Sequence, residues 1–459
     1  MAPLPSTWRW QPVDDDGRKV ECGAQVYSKD EDAPVRSIFH PKWLAMMLFT
    51  GLLAIAFFTL SPGLAIPIGS RKGGNSIGKP LRFAKDGTFQ ISIFGDLHFG
   101  ENAWEQWGPQ QDIWSTYVIN QVLDAESQQL VVLNGDLITG ENTFLENSTD
   151  YLNQIVAPLV QRDLSWASTY GNHDSQYNLS RENILAHERL YLNARTTQMV
   201  FGRDAGVTNY YLPVYSHKNK HKPALILWFF DSRGGFYYQE QDAAGDPIGQ
   251  PDWVDQSVVD WFSTTNEQLT TDHRGPIPSV GFVHIPMNAS RALQTEVGVR
   301  KHYQPGINHD YPLAQQAQGW CPDGANDGPC SYGGQDVPFM EAIASTPGMM
   351  ALFSGHDHGD SWCYKWDTQL PGISMTGNGV NLCFGQHSGY GGYGTWTRGS
   401  RQVLVHENML KDLDNLELET WIRLENQNVV GAVTLNSTYG QDRYPATKDT
   451  HTHCPTCVY

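Results

Sequence analysis

Residues 89–98 read FQISIFGDLH, a short apolar run followed at once by a glycine and polar side chains. The first six of these residues are mostly aromatic or β-branched, as is typical of a buried strand. Apolar residues then recur at helical spacing, at Ile113, Trp114, Tyr117, Val118 and Val122. The next apolar run, Leu130–Leu133, has no polar position and fits a strand covered on both faces. This order of strand, helix and strand predicts a β-α-β unit with parallel strands.

The same alternation continues through the middle of the chain. A helix predicted around Leu152–Val160 precedes a strand at Trp166–Tyr170, and another helix is predicted around Trp253–Leu269. Further strands are predicted at Ala224–Phe230, Val280–Val283 and Met349–Phe353. The last third has strands with little helix between them, at Arg401–His406, Leu416–Leu424 and Val429–Leu435. We therefore expect an α/β fold in which a two-sheet β-sandwich is flanked by helices.

Five of the predicted strands end in clusters of potential metal ligands. The clusters are Gly95-Asp96-Leu97-His98, Gly135-Asp136, Gly171-Asn172-His173-Asp174, Val283-His284 and Gly355-His356-Asp357-His358. Open α/β sheets place their binding sites in the loops beyond the carboxyl ends of their strands. Carboxylates can bridge two ions, imidazoles give directional nitrogen bonds, and an amide oxygen can complete a shell. Two ions about 3.5–4 Å apart can clamp a phosphoryl group and activate water near neutral pH.

Each cluster taken alone has a simpler interpretation. A Gly-Asp pair is usually a turn, and a lone histidine after a strand, such as His284, is more often part of a core. The Gly-Asn-His-Asp and Gly-His-Asp-His motifs are scarcer. All five clusters occur in order, each at the end of a predicted strand. This combination favours one two-metal site over five unrelated turns.

The series of motifs from Gly95 to His358 resembles that of the calcineurin-like metallophosphoesterase superfamily. Two longer stretches, residues 81–101 and 376–396, are similar to fungal relatives of plant proteins labelled purple acid phosphatase-like. The fold of that family is a β-sandwich flanked by helices, which is the architecture predicted above. The resemblance implies that seven side chains hold two metal ions, for which iron, manganese and zinc are all candidates. The first ion would be held by Asp96, His98, His358 and a bridging Asp136. The second ion would share Asp136 and be held by Asn172, His284 and His356.

The resemblance also implies two catalytic residues, His173 and Asp174. His173 would stabilise the transferred phosphoryl group or protonate the leaving oxygen, because an imidazole titrates near neutral pH. Asp174 would orient His173 through a hydrogen bond. The nucleophile would be a metal-bound hydroxide. One departure concerns the tyrosine that purple acid phosphatases carry three residues after the bridging aspartate. Thr139 occupies that position here, so the purple tyrosinate-to-iron colour is not expected.

Hydrolysis of phosphate monoesters is the reaction we expect, with a phosphorylated small molecule or a phosphoprotein as substrate. A phosphodiesterase would use the same ligands, and the shape of the pocket would decide between the two. A metal-binding scaffold without turnover is a third alternative, although neither the ligands nor His173 show a loss. The net charge of −18 argues against a nucleic-acid surface, which would need clustered lysine and arginine.

The apolar run from Trp43 to Leu60 contains no charged residue, and apolar character resumes at Leu64–Ile68. About 20 apolar residues can cross a bilayer, so residues 43–66 are predicted to form a transmembrane signal anchor. A cleaved signal peptide and a buried core helix are the alternatives, but residues 1–42 are long and acidic for a signal peptide. Six of the seven cysteines lie downstream, as do four Asn-x-Ser/Thr sequons, at Asn147, Asn178, Asn288 and Asn436. We therefore expect a single-pass membrane glycoprotein whose catalytic domain is lumenal or extracellular.

The composition, with 40% hydrophobic and 17% charged residues, is that of a folded protein, and one large domain is predicted because no second linker or sequence repeat follows residue 80. Its predicted parts are a polar tail at 1–42, the anchor at 43–66, a linker at 67–80, a metallophosphoesterase domain at 81–446 and a C-terminal tail at 447–459. Cys321 and Cys330 are predicted to close a surface loop through a disulfide. The stretch Ser290–Gln335 is predicted to be irregular and to form a lid over the site.

Overall fold

The apolar runs of the sequence build two six-stranded sheets in the computed structural model, which describes residues 79–314 and 332–452. The strands, in chain order, are β1 (Thr88–Phe94), β2 (Leu130–Asn134), β3 (Ser165–Thr169), β4 (Tyr210–Tyr215), β5 (Pro223–Phe230), β6 (Phe236–Gln241), β7 (Pro247–Gly249), β8 (Ser279–Val283), β9 (Met349–Ser354), β10 (Cys363–Trp366), β11 (Val380–Phe384), β12 (Gly399–His406), β13 (Leu418–Leu424) and β14 (Val429–Leu435). The α-helices are α1 (Trp107–Ala125), α2 (Leu145–Gln161), α3 (Arg181–Glu188), α4 (Gln256–His273), α5 (Asn288–Ala292) and α6 (Val337–Ser345).

Both sheets are mixed. The first has the order β14-β13-β12-β1-β2-β3, in which β1, β2 and β3 are parallel and the other pairings antiparallel. The second has the order β10-β11-β9-β8-β5-β4, with four parallel strands in the centre and an antiparallel strand at each edge. The short strands β6 and β7 form a separate antiparallel pair. The loops that contain the five predicted metal-ligand clusters follow the carboxyl ends of parallel strands, namely β1, β2, β3, β8 and β9.

The two sheets pack face to face, because alternate residues of each strand point to a shared apolar core. In β2, Leu130 and Val132 lie in this core, together with residues of β5, β8 and β9 from the other sheet. Val131 and Leu133 point the opposite way and pack against α1, α2 and α3. Helices α4 and α6 cover the outer face of the second sheet. The predicted architecture, two sheets flanked by helices, is confirmed.

Every strand predicted from the sequence is present, with ends shifted by at most two residues. The prediction missed β4, β10 and β11, the β6–β7 pair and the short helices α3, α5 and α6. Strand β4 contains Pro213 and β10 has four residues, and both are edge strands, where the periodic signal is weakest. The prediction that Ser290–Gln335 is irregular is wrong at its start, because α5 continues there into a π-helical turn at Leu293–Gly298.

Several predictions concern parts of the chain outside the described residues. The tail at 1–42 and the anchor at 43–66 lie there, as does most of the linker at 67–80. Within residues 79–314 and 332–452, no helix combines the length and apolar character needed to span a bilayer. Cys363 and Cys383 form a disulfide bond between β10 and β11. The cysteines outside the described residues are Cys22, Cys321, Cys330, Cys454 and Cys457.

Candidate active site

Six of the seven predicted metal ligands form two adjoining clusters at the carboxyl ends of β1, β2, β8 and β9. The first cluster is Asp96, His98 and His358, and the second is Asp136, His284 and His356. Within each cluster the potential ligand atoms lie within 4.8 Å of one another. The seventh, Asn172, follows β3 and places its Oδ1 3.0 Å from Nδ1 of His356. The structure therefore brings all seven side chains together.

Asp136 occupies the position between the two clusters. Its Oδ2 lies 3.0 Å from Nε2 of His284 in its own cluster and 3.8 Å from Nε2 of His98 in the other. Its second oxygen, Oδ1, accepts a hydrogen bond of 2.8 Å from the backbone N–H of His173. This is the arrangement that a carboxylate shared by two metal ions requires.

Hydrogen bonds fix the orientation of two of the imidazoles so that Nε2 faces the site. Nδ1 of His284 donates to the carbonyl of Asn134 at 2.9 Å, and Nδ1 of His358 donates to the carbonyl of Tyr393 at 2.9 Å. In the neutral form of each ring Nε2 would carry the lone pair, and a backbone carbonyl at Nδ1 is the usual support of a metal-bound histidine. Nε2 of His358 faces Nε2 of His98 across 3.3 Å. Two carboxylates, four imidazoles and an amide form a donor set that suits iron, manganese or zinc.

Four of the seven side chains belong to residues whose backbone is in the left-handed region, which non-glycine residues rarely adopt. Asp96, His98, Asp136 and His356 have φ angles of 55°, 48°, 49° and 73°. Non-glycine residues in this left-handed region are uncommon and concentrate at functional sites. Close approach also explains the glycine before Asp136. A Cβ at Gly135 would lie 2.3 Å from Nδ1 of His284, and the φ of +87° at this glycine is left-handed as well.

Burial sets the protonation of the imidazoles. It lowers the pKa of His98 to about 4 and the pKa of His356 to about 3, so both rings are neutral at neutral pH. At His284 burial also opposes the charged form, but the Asp136 carboxylate outweighs it and raises the pKa to about 9. Burial raises the pKa of Asp96 to about 7. A cation entering the pocket would therefore meet neutral imidazoles at His98 and His356 and would displace a proton from His284.

Asp136 stays ionised in this setting. Burial on its own would raise the pKa of its carboxyl group, but His284 and His173 together hold that pKa well below its ordinary range. The pocket thus contains a buried negative charge at the point where the two clusters meet.

His173 lies beside the clusters, as predicted, and its partner is Glu141. Its ring centroid is 4.9 Å from that of His98, and its Nδ1 is 2.6 Å from Oε1 of Glu141. Burial disfavours the imidazolium, but the carboxylates of Glu141 and Asp136 outweigh burial and raise the pKa of His173 to about 10. The side chain of His173 is 33% exposed, against 3% for His358, so it faces the approach to the site.

The predicted hydrogen bond from Asp174 to His173 is wrong. Oδ1 of Asp174 accepts hydrogen bonds from the backbone N–H groups of Leu137 and Ile138, and Oδ2 accepts one from Gly171. Oδ1 therefore ties the loop after β3 to the loop after β2, and Oδ2 bonds within its own loop. Asp174 supports the loops that carry Asp136 and Asn172, and it does not orient the imidazole of His173.

Tyr393 is a second site residue that the sequence did not reveal. Its ring stacks on that of His358, with centroids 4.0 Å apart and an angle of 9° between the planes. Its hydroxyl donates to Oδ2 of Asp310 at 2.5 Å and accepts from the backbone N–H of His358 at 3.0 Å. Thr139, in place of the tyrosine of the purple enzymes, has its Oγ1 3.4 Å from Nδ1 of His98.

The chain is similar to a protein family and to several individual proteins. The sequence profile described as calcineurin-like phosphoesterase matches residues 89–360. "Probable inactive purple acid phosphatase 29" of Arabidopsis thaliana is 25% identical over 411 residues, which are 83% of this chain and 92% of that protein. "Phosphatase DCR2" of Saccharomyces cerevisiae is 25% identical over 360 residues, 75% of this chain and 55% of that protein. A solved structure of a dimetal phosphatase from Danio rerio covers 76% of this chain and 98% of its own, at 12% identity and a TM-score of 0.45.

Proposed function

Because the chain belongs to the calcineurin-like phosphoesterase family, we propose that it hydrolyses phosphate monoesters at the paired Asp/His clusters. The observation that carries the proposal is that Asp136 lies within reach of both clusters, which between them hold two carboxylates and four imidazoles. Two metal ions at such a site supply positive charge for the phosphoryl oxygens and an activated water molecule as nucleophile. The narrower placement in a fungal, purple-acid-phosphatase-like branch is part of this proposal.

The remaining chemistry belongs to His173. Its imidazole carries a proton at neutral pH, because the neighbouring carboxylates outweigh burial and raise its pKa to about 10. The proton can pass to the oxygen that leaves the phosphorus, and the positive ring can stabilise charge on the phosphoryl group. The loops that hold this geometry are rigid, since Asp174 bonds to backbone groups of both.

A non-catalytic scaffold is the alternative, since the Arabidopsis relative is named as a probable inactive enzyme. The yeast relative, in contrast, is named as a phosphatase. This chain keeps a complete donor set, and His173 lies beside it with an acidic partner at 2.6 Å. A metal-binding scaffold has no need of an imidazole and carboxylate pair at the open side of its site. We therefore favour the enzyme.

Hydrolysis assays on the full-length protein test the proposal. The protein is supplied in turn with iron, manganese and zinc and assayed on p-nitrophenyl phosphate and on bis-p-nitrophenyl phosphate. We expect faster cleavage of the monoester and a loss of at least about 10²-fold in kcat for His173→Ala, the usual contribution of a general acid. His221→Ala, in an exposed turn, is the matched control and should keep the parent rate. Faster cleavage of the diester would make the protein a phosphodiesterase, and two bound ions without turnover would make it a scaffold.

We also propose that residues 43–66 anchor the protein in a membrane, with the site on the lumenal or extracellular side. The Cys363–Cys383 disulfide supports an oxidising compartment, and none of the four sequon asparagines in the described residues is buried. Endoglycosidase treatment of the full-length protein tests this placement. A mass shift on deglycosylation is expected, and a body without glycans would argue for the cytosolic side.

A further inference from the structure

We propose that Glu141 is a positioning residue for this hydrolysis: its carboxylate holds the imidazole of His173 so that Nε2 meets the leaving oxygen. The inference rests on the proposed function and assigns a role to a side chain outside the metal-ligand motifs. The contact that carries it is the 2.6 Å separation between Oε1 of Glu141 and Nδ1 of His173.

The backbone is built to bring these two residues together. Glu141 lies in a short 3-10 turn, Gly140–Asn142, which follows the loop of Asp136. A Cβ at Gly140 would lie 2.4 Å from the carbonyl oxygen of His173, so only glycine allows the turn to approach the His173 backbone this closely. Asn142 secures the other end of the turn, because its Oδ1 accepts a 2.7 Å hydrogen bond from the backbone N–H of Asn102.

Other acidic side chains nearby are committed elsewhere. Asp174 uses both oxygens on backbone N–H groups, and Asp136 bonds to the backbone rather than the ring of His173. Oε2 of Glu101 accepts a 2.8 Å hydrogen bond from the backbone N–H of Gly392. Within the part of the chain that the structure describes, Glu141 is the one carboxylate within 4.0 Å of a ring nitrogen of His173. The orientation of this ring therefore depends on Glu141.

The contact determines which nitrogen remains for catalysis. With Nδ1 only 2.6 Å from Oε1 of Glu141, Nε2 is the ring nitrogen left to serve the substrate. As the bond from phosphorus to the leaving oxygen breaks, its electron pair stays on that oxygen and Nε2–H supplies the proton. The ring keeps its proton on Nδ1 beside the Glu141 carboxylate, and a proton released by the attacking water restores Nε2–H. Water has then added its oxygen to phosphorus and the alcohol has left, so the step balances.

Glu141→Gln tests the role by kinetics on the full-length protein. The substitution keeps the size of the side chain and removes its charge. We expect kcat to fall about 10–100-fold, as when an outer partner of a site histidine is lost, with KM changed by less than about threefold. The loss should be greater on phenyl phosphate than on p-nitrophenyl phosphate, because the poorer leaving group depends more on protonation. Glu146→Gln, an exposed glutamate five residues along the chain, is the control and should match the parent. An unchanged kcat, or an equal loss on both substrates, would overturn the proposal.

A double-mutant cycle separates positioning from general structural support. If Glu141 acts through His173, then Glu141→Gln in a His173→Ala background should cause no further loss. Two losses that multiply would show that Glu141 acts independently of the imidazole and would contradict the proposal.

A spectroscopic measurement tests the contact without catalysis. Full-length protein labelled with ¹⁵N at histidine is examined by long-range ¹H–¹⁵N NMR in the absence of metal, and His173→Ala identifies the signals of His173. Glu141→Gln should shift the Nδ1 signal of His173, whereas Glu146→Gln should leave it in place. An unmoved signal would overturn the pairing. If the parent protein cleaves no phosphoester, the proposed function fails, and this measurement still decides whether Glu141 holds the ring.

Discussion

Asp136 and Asp231 are both buried aspartates that follow a parallel strand, yet they have opposite surroundings. Asp231, after β5, contacts the guanidinium of Arg181. It also accepts hydrogen bonds from three backbone N–H groups, those of Val207, Thr208 and Arg233. Asp136, after β2, has a single backbone donor and otherwise faces imidazoles.

The difference shows what would equip a strand-end carboxylate to bind a metal ion. Asp231 has its charge balanced by an arginine and its oxygens satisfied by the backbone, so it has no capacity for an ion. Asp136 keeps Oδ2 among histidines whose neutral forms offer lone pairs. Both aspartates follow a strand. They differ in the partners that the fold places around their carboxylates.

Replacing the shared carboxylate should have the largest effect. Asp136→Asn removes the charge common to both clusters, so we expect kcat to fall by more than the roughly 10–100-fold that loss of an outer partner costs. Bound metal, measured by elemental analysis, should fall below two ions per chain. Asp231→Asn, its counterpart after β5, should keep the metal content of whatever fraction folds. Equal metal loss in the two variants would erase the distinction between the two aspartates.

Breaking the contact between Asp231 and Arg181 should lower the stability of the protein instead. Arg181→Met leaves the buried Asp231 without its cation, and an uncompensated buried charge costs about 3–5 kcal/mol of unfolding free energy. Urea unfolding measures this cost. The control is Arg162→Met, which breaks a more exposed pair with Asp124 and should cost no more than about 1 kcal/mol. Arg181 also donates to the carbonyl of Gly171, so kcat can fall modestly while metal content per folded chain stays unchanged.

The pH dependence of metal binding tests the surroundings of Asp136. Asp136 outweighs burial and raises the pKa of His284 to about 9, so below that pH an incoming ion must displace a proton from this ring. Apparent affinity should therefore rise about tenfold per pH unit above pH 7, where Asp96 has lost its proton, and level off above pH 9; below pH 7 the rise should be steeper. His98 and His356 add no slope in this range, because burial lowers the pKa of each to about 4 and 3. Competition against a chelator at several pH values measures the slope, and a flat profile would contradict a protonated His284.

The metal-ligand motifs could be predicted from the sequence because local chemistry marks them. Each ligand lies within a few residues of an apolar strand, and parallel strands bring such ends to one edge. The same reasoning could not assign Asp174, because its proximity to His173 in sequence says nothing about where its oxygens point. Whether the seven side chains bind metal, and whether residues 43–66 cross a membrane, stay predictions.

Residues that support the site from a distance could not be found in this way. Glu141 reaches His173 through a 3-10 turn, and no spacing rule distinguishes it from Glu146. Tyr393 comes from the glycine-rich loop between β11 and β12 and meets His358 only through the tertiary fold. Hydrophobic periodicity predicts helices and strands, and the motifs mark the ends of strands. The path of a loop depends on tertiary packing, which neither the periodicity nor the motifs describe.

Tyr393→Phe should have the smallest effect. It tests whether side chains around the cluster of Asp96, His98 and His358 contribute to metal binding. The change removes the hydroxyl that bonds to Asp310 and to the backbone of His358. It keeps the stacked ring and the carbonyl that fixes Nδ1 of His358. Metal affinity, measured against a chelator, should fall by no more than about tenfold, the lower end for an outer partner. Tyr311→Phe, at an exposed neighbouring tyrosine, is the control and should bind metal as the parent does. A loss of metal binding as large as that of Asp136→Asn would show that the hydroxyl sets the position of His358. Tyr393 and Asp310 would then belong to the metal site as well.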